Sequence, residues 1–320
     1  MTDFIKKTCD VAIIGAGPTG LSAAITLREA GIERVLVLDR EPVAGGIPRH
    51  CGHPPFGIQE FKRALTGPRY ARRIVSAAEH AGVEISLKSS VTQVMKQGRL
   101  SFVSPTGVTE VNARAVLLAT GTRETPRSVR FVSGNRPIGI CNTGALQSMV
   151  YLKNMVPFRN PLVVGSEIVS FSALLTCKKA GIHPVAMIEQ KRKPDVRWPI
   201  HYAASFFGVP LRLNTKIKRI YGDERVQGVQ ILDKTGKLEE LSCDGVLFTG
   251  QFTPESTLAR MSHLELDPIT GSPAVNQSGR CSDAAYYAAG NLVFSPVHVA
   301  GRCWQAGNEV AKRIISDLAE

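Results

Sequence analysis

Between Asp10 and Asp39 the chain carries Gly15, Ala16, Gly17, Pro18, Thr19 and Gly20, set directly after a short apolar run and before a helix-like one. Residues of these types at this spacing handle phosphate. The first glycine permits a tight turn, the second lets backbone approach a pyrophosphate, and the third lets a helix pack closely on a strand. The amino end of that helix then stabilises the phosphate charge. Asp39, 19 positions beyond Gly20, is spaced to accept hydrogen bonds from a ribose. The expected contacts of a dinucleotide are therefore Gly15, Gly17, Pro18, Thr19, Gly20 and Asp39, with Arg40 beside them. The competing reading, a glycine-rich turn without a ligand, does not explain why strand, helix and acidic residue are all in place.

The elements that must hold these residues lie on either side of them. Segment 10–15 reads as a buried strand, 19–30 as a helix closed by Gly31, and 35–38 as a second strand ending in Asp39. The order recurs at 161–165, 170–180 and 185–188, with Gly165, Gly181 and Glu189 each 150 residues after Gly15, Gly31 and Asp39. A repeat of this size fixes the architecture. Each copy continues alike: helix-like 68–81 precedes a strand at 83–87, and helix-like 198–207 precedes one at 209–213. Alternating strand-like segments follow at 91–111 and 216–242, then apolar strands that reach glycine turns at 115–121 and 245–250. A last strand at 286–290 and helix at 301–318 have no counterpart in the second copy on this reading. They are expected to return and complete the first domain. The prediction is an α/β protein of two Rossmann-like domains, the first made of 1–122 and 245–320, the second, 123–244, inserted in it and degenerate.

Composition narrows the function. Of the 320 residues 43% are hydrophobic and 21% charged, and no apolar stretch is long enough for a membrane span. Residues 1–10 lead into a strand-like run without an apolar signal core or small-residue cleavage site, so secretion is not expected. Seven scattered cysteines without a C-x-x-C pair suit a reducing, cytoplasmic setting and offer neither a dithiol relay nor ligands for a cluster. Any iron–sulfur centre would lie on another subunit. The net charge of +12 is spread out. Its local clusters, Lys191-Arg192-Lys193 with Arg197 and Arg69 with Arg72-Arg73, lack the interleaved aromatics of a single-strand binder. A solvated face or a dock for an acidic protein remains, and no nucleic-acid partner is expected.

Three further segments decide between cofactors: Gly45-Gly46, Ala119-Thr120-Gly121 and Gly290-Asn291. With them the chain resembles the flavoproteins that carry two dinucleotide-binding domains, the glutathione-reductase and thioredoxin-reductase superfamily, over essentially its whole length. The resemblance implies domains of three-layer ββα type, with FAD bound by these glycine-rich segments and an Asp near the carboxyl end on the ribityl phosphate. Asn291 stands at that Asp, where an amide can still hydrogen-bond. The loop 46–57 is similar to the FAD subunits of opine oxidase, hydrogen cyanide synthase and D-hydroxyproline dehydrogenase, as is 164–170. In that loop His50, Cys51 and His53 are expected to shape the flavin environment, because three ligands within four proline-flanked residues rarely converge on a metal. The family geometry also implies that His298, with Arg302 and Cys303, lies near the flavin.

The second copy departs from the pattern. Its register puts Glu167 where Gly17 sits and Ser170 where Gly20 sits, bringing bulk and a like charge to the pyrophosphate approach. NAD(P)H binding is disfavoured on this reading. The expected function is that of an FAD-containing subunit in a heteromeric dye-linked dehydrogenase or oxidase for an amine, imino acid or opine. Its partner would be a second, substrate-oxidising flavoprotein, with FMN or a small iron–sulfur subunit left open at or beyond the interface. The alternatives are a stand-alone NAD(P)H-dependent flavin reductase, and a scaffold holding ADP or ATP.

Overall fold

The computed structural model describes residues 5–196, 203–293 and 299–320. It opens with β1 (Ile5–Ile14), α1 (Pro18–Glu29) and β2 (Val35–Leu38). The first run continues through α2 (Ile58–Phe61), α3 (Gly67–His80), β3 (Glu84–Ser86), β4 (Ser90–Val94), β5 (Arg99–Ser104) and β6 (Gly107–Leu118). Next come β7 (Thr122–Glu124), β8 (Ser133–Gly134), β9 (Ile140–Asn142), α4 (Thr143–Lys153), β10 (Pro161–Val164), α5 (Ile168–Ala180) and β11 (Ala186–Ile188). They are followed by α6 (Ala203–Phe206), β12 (Leu211–Arg212), β13 (Lys216–Tyr221), β14 (Gly228–Leu232), β15 (Leu238–Ser242) and β16 (Gly245–Phe248). The chain ends with β17 (Phe252–Pro254), α7 (Thr257–Arg260), β18 (Tyr286–Ala288) and α8 (Ala300–Ala319). The first half of the helix expected at 198–207 falls outside the described residues, and α6 lies in the described half.

Local chemistry explains the main helices. Pro18 pre-sets the backbone at the start of α1. In α3, Tyr70, Ala71, Ile74 and Ala78 form a buried stripe with Arg69, Arg72 and Arg73 on the exposed side. Gly181, at φ 65°, supplies the left-handed residue that closes α5.

Contacts divide the chain into two units: Met1–Arg49, Pro54–Arg123 and Thr253–Glu320 form one, and His50–His53 with Glu124–Phe252 form the other. In the first, the sheet runs β3-β2-β1-β6-β5-β4, and β18 also pairs with β6. β6 lies parallel to β1 along nearly its whole length; on its other edge the amino half lies antiparallel to β5 and the carboxyl end parallel to β18. The carboxyl half of β1 is buried on both faces, as a parallel strand between two layers must be. Its Val11 and Ile13 join the core containing Leu21 and Leu27 of α1, Ile74 of α3 and Ile314 of α8. Ala12 and Ile14 join the opposite core with Leu100, Val116 and Tyr286.

The second unit repeats this plan. Its parallel sheet runs β12-β11-β10-β16-β9, and the meander β15-β14-β13 with β8 makes a separate sheet. Two expectations are corrected here. Segment 245–248 does not return to the first domain, because β16 pairs with β10 and β9 in the second sheet, as β6 pairs with β1 and β18 in the first. The last strand and helix also do have a counterpart: β9 followed by α4 stands to β16 as β18 followed by α8 stands to β6. In the second unit this strand–helix arm comes first rather than last. The chain passes between the units at β7 and β17, which pair with each other.

Candidate functional site

In the first unit, β1 ends at Ile14 and the chain turns sharply at Gly15, at φ 114°, whose N–H donates to the Leu38 carbonyl at 2.8 Å. A Cβ on Gly15 would lie 2.5 Å from the Ala119 oxygen. Gly20 is tighter still: its Cβ would fall 1.9 Å from the Gly15 oxygen, so α1 rests directly on the turn. Gly17, by contrast, faces open space, with Gly46 Cα the nearest atom at 4.0 Å. It is the cap residue of α1 and, as a glycine, has no side chain with which to cap that helix end. An uncapped helix amino terminus opening on bare backbone is a seat for an anion.

The surrounding segments shape this seat. The Gly45 N–H donates to the Ala16 oxygen at 2.8 Å, and a Cβ on Gly46 would approach Gly17 Cα to 2.8 Å. The Asp39 carboxylate accepts from the Ala16 N–H at 2.7 Å and from the Glu41 N–H at 2.9 Å, which holds it at the end of β2 beside the turn. Arg40 is exposed. The Ala119 N–H donates to the Ile14 oxygen at 2.9 Å. The Thr120 hydroxyl donates to the Glu255 oxygen at 2.8 Å, and the Glu255 N–H donates back to Gly121. Arg123 closes this bridge with an ion pair to the buried Glu255 carboxylate.

From the far end of the chain, Gly290 comes so close that its Cβ would sit 2.1 Å from the Thr19 hydroxyl. The Cys303 thiol is hydrogen-bonded with the Thr19 side chain and the Asn291 backbone, and burial pushes its pKa up. Thr19, Gly290, Asn291 and Cys303 thus converge at the start of α1, while Arg302 turns to solvent. A polar seam that the sequence reading missed holds α8 there. The Ser22 hydroxyl meets the Trp304 oxygen and Asn308, the Thr26 hydroxyl donates to Asn308 Oδ1 at 2.9 Å, and Gly307 abuts the Thr19 oxygen. The spacing of Ser22 and Thr26 on one helix face, opposite Asn308, was its only trace in the sequence. His298 lies outside the described residues. The residues present fit the pyrophosphate and ribose portions of FAD, for they leave a bare-backbone cradle at a helix end with a fixed carboxylate beside it.

The loop residues His50–His53 group with the second unit. The Cys51 thiol, pushed to about 12 by burial, donates to Gln147 Oε1 at 3.5 Å, and the Gln147 amide donates to the Ser172 hydroxyl at 2.7 Å. A Cβ on Gly52 would run into the Tyr151 ring at 2.1 Å. His50 is buried and His53 half-buried.

The second unit copies the first turn with substitutions. The Gly165 N–H donates to Ile188, and Thr249 N–H to Val164, as Gly15 and Ala119 do in the first unit. The Glu189 carboxylate accepts from the Lys191 N–H at 2.9 Å, matching Asp39 with Glu41, and takes its other hydrogen bond from the Ser166 hydroxyl at 2.5 Å. Ser170 is buried and its hydroxyl lies 2.6 Å from that of Thr249. Glu167 caps α5, and its carboxyl lies over Gly165 and Gly250: a Cβ on Gly250 would be 2.2 Å from Glu167 Cδ. Oε2 accepts from the Ser170 and Thr249 hydroxyls, each at 3.3 Å. Burial raises the pKa of this carboxyl, and the neighbouring Arg130 opposes the shift. Arg130 donates to the Thr249 and Gly250 oxygens at 2.9 and 2.8 Å.

Comparison with known proteins fits this geometry. The description "Pyridine nucleotide-disulphide oxidoreductase" matches residues 9–307. The chain is 23% identical over 290 residues to a ferredoxin–NADP reductase of Picrophilus torridus, covering 88% of this chain and 85% of that one. It is 26% identical to one of the opine oxidase subunits of Rhizobium meliloti over 56% of this chain and 38% of that one. The crystal structure of T. acidophilum thioredoxin reductase superposes with a TM-score of 0.81 at 22% identity, covering 98% of this chain and all of that one. The fold is that of thioredoxin reductase. The narrower resemblance to opine-type subunits covers much less of its relative than the reductase match does.

Proposed function

The chain belongs to the pyridine nucleotide-disulphide oxidoreductase family and is an FAD-dependent oxidoreductase, and from that premise we propose that it is an NAD(P)H-dependent flavin reductase. The carrying observation is the match to a ferredoxin–NADP reductase along most of both chains, together with a second unit that keeps the Gly165 turn and the Glu189 carboxylate. In this reading the amino end of α1 and the Gly45-Gly46 turn hold the FAD pyrophosphate, Asp39 takes the ribose hydroxyls, and Gly290-Asn291 closes over Thr19. Bound FAD would supply hydride acceptance and release of electrons to an acceptor. The acceptor is read as a separate redox protein or dye. No disulfide joins any of the seven cysteines among the described residues, and burial raises every thiol pKa, so none is a ready nucleophile for disulfide exchange. Free thiols also support a reducing, cytoplasmic location. No helix among the described residues is long and apolar enough to cross a membrane.

Anaerobic mixing of the purified yellow protein with NADPH or NADH, followed at the flavin absorbance, tests the reading, and bleaching is the expected result. A second reading, the FAD subunit of a heteromeric amine or imino-acid dehydrogenase, is favoured by Glu167 and by the match to the opine oxidase protein. Flavin that stays oxidised in millimolar NADPH, yet bleaches when a co-purifying flavoprotein receives an imino acid, would establish that reading instead.

A further inference from the structure

The second unit keeps the strand–turn–helix construction of the first unit's phosphate seat, with Ser170 in place of Gly20 and Glu167 in place of Gly17, and the Glu167 carboxyl occupies it. The carboxyl ends of β10 and β16 and the start of α5 define the crevice where an open α/β sheet takes its ligand. In the first unit the corresponding position, Gly17, faces open space. In the second, the Glu167 carboxyl fills it, with Oε2 lying 2.6 Å from where a Gly165 Cβ would be and Oε1 2.2 Å from a Gly250 Cβ. Two hydroxyls, Ser170 and Thr249, donate to it, and it stands at the amino end of the 13-residue helix α5, where a negative charge is favoured. An anion bound there would meet these same groups.

We propose that Glu167 is a built-in occupant of the second unit's phosphate seat, so that a dinucleotide enters only by displacing this carboxylate. The inference rests on the nucleotide-dependent reading above and names the residue that sets its affinity. The charged groups facing Glu167 are Arg130, which itself also feels Glu124, from the segment after β7, and Glu189, Lys191 and Asp195 from the segment after β11. Arg130, tied to Thr249 and Gly250, balances the carboxylate, whereas Glu189 and Asp195 disfavour its charge. Burial acts in the same direction as those two carboxylates, so the folded protein holds the Glu167 proton to higher pH than an exposed glutamate would. A neutral Glu167 repels a pyrophosphate less than an ionised one. Nucleotide affinity should therefore rise as pH falls.

Calorimetric titration of the full-length FAD-loaded protein with NADH tests this, since the pyrophosphate of NADH keeps its charge between pH 5.5 and 8. Glu167→Gln keeps the shape and removes the charge, and Glu167→Gly restores the residue type found at Gly17. Both should bind NADH at least about tenfold more tightly than the parent at pH 8, the effect of removing a like charge roughly 4 Å from a phosphate in a half-buried site. The parent should tighten on acidification, and neither variant should follow it. Should Glu167→Gly fail to fold, the Gln variant decides alone. Affinities within twofold of the parent, matching pH profiles, or no binding by any of the three at millimolar NADH would each overturn the proposal. Tight binding by the variants with an unreduced flavin would leave this inference standing and sink the reductase reading. Rapid flavin reduction in the parent, with no tighter binding in the variants, would do the reverse.

Discussion

Replacing Gly20 by alanine should loosen the cofactor and the first unit together. The added methyl would lie 1.9 Å from the Gly15 oxygen, 3.1 Å from the Gly15 carbonyl carbon and 3.2 Å from Ile13 Cγ2. Two of these three atoms are backbone, so no side-chain rotation relieves the clash. To bring the 1.9 Å approach out to an ordinary 3.4 Å contact, α1 must back away by about 1.5 Å. That retreat opposes its packing against α8 through Ser22, Asn308 and Gly307. Overpacking of this kind costs about 1–3 kcal/mol, which for a unit of this size lowers Tm by roughly 2–12 °C. It also withdraws the helix end from the phosphate seat, so FAD should be partly lost on gel filtration. The matched control is Ser170→Ala, which removes a 2.6 Å hydroxyl contact with Thr249 at the equivalent place in the second unit. It should cost about 1 kcal/mol and leave the FAD content unchanged. Thermal melting and the ratio of flavin to protein absorbance give both readouts. If Gly20→Ala melts within a degree of the parent and keeps a full complement of FAD, the close-packing account of that glycine is wrong.

The polar seam should be worth more than a surface contact: Asn308→Ala strands the Thr26 hydroxyl and is expected to cost about 1–3 kcal/mol, seen as a lowered Tm. Thiol labelling at pH 8 should be slow in the folded protein, because thiols held near 12, such as Cys9, Cys51 and Cys177, carry about a thousandfold less thiolate than exposed ones. In guanidinium all seven should label promptly. Glu124 accepts from the Gly144 N–H at 2.8 Å and the Gly250 N–H at 3.3 Å, yet burial raises its pKa above the ordinary 4.5. The folded chain then binds this proton more tightly than the unfolded one. Its contribution to stability is present in full below about 4.5 and is lost as pH rises through the raised value. Glu124→Gln should flatten that part of the Tm–pH curve, and an unchanged curve would show that burial does not control this group.

The two turns and their acidic partners were legible because local chemistry specifies them. Gly15, Gly20 and Asp39 each meet a demand set within about forty residues of chain, and the 150-residue register carried the same demand to Gly165, Glu167 and Glu189. What escaped depends on order and distance. The arm made of β9 and α4 was overlooked because it precedes its β10–α5 unit, whereas β18 and α8 follow theirs. A comparison that preserves sequence order cannot align a permuted piece. Segment 245–248 was assigned to the wrong domain although its kinship with 115–118 was visible, because apolar strands look alike whichever sheet they complete. The Asn308 seam and the docking of Cys51 on Gln147 join residues far apart in the chain, and no single stretch signals either.

The body of the second unit, Glu124–Phe252, is one continuous insertion, and its ends are already side by side: the Thr125 N–H donates to the Gln251 oxygen at 2.9 Å beside the paired strands β7 and β17. To the first unit, everything between these points is a single loop of about 130 residues. The entropy of closing a loop grows only with the logarithm of its length, so once melted the insertion burdens the first unit only about 0.6 kcal/mol more than a loop of half its length would. Heat or denaturant can then unfold the inserted unit while the FAD-binding unit persists. A yellow but catalytically silent species is the form in which this architecture would first fail.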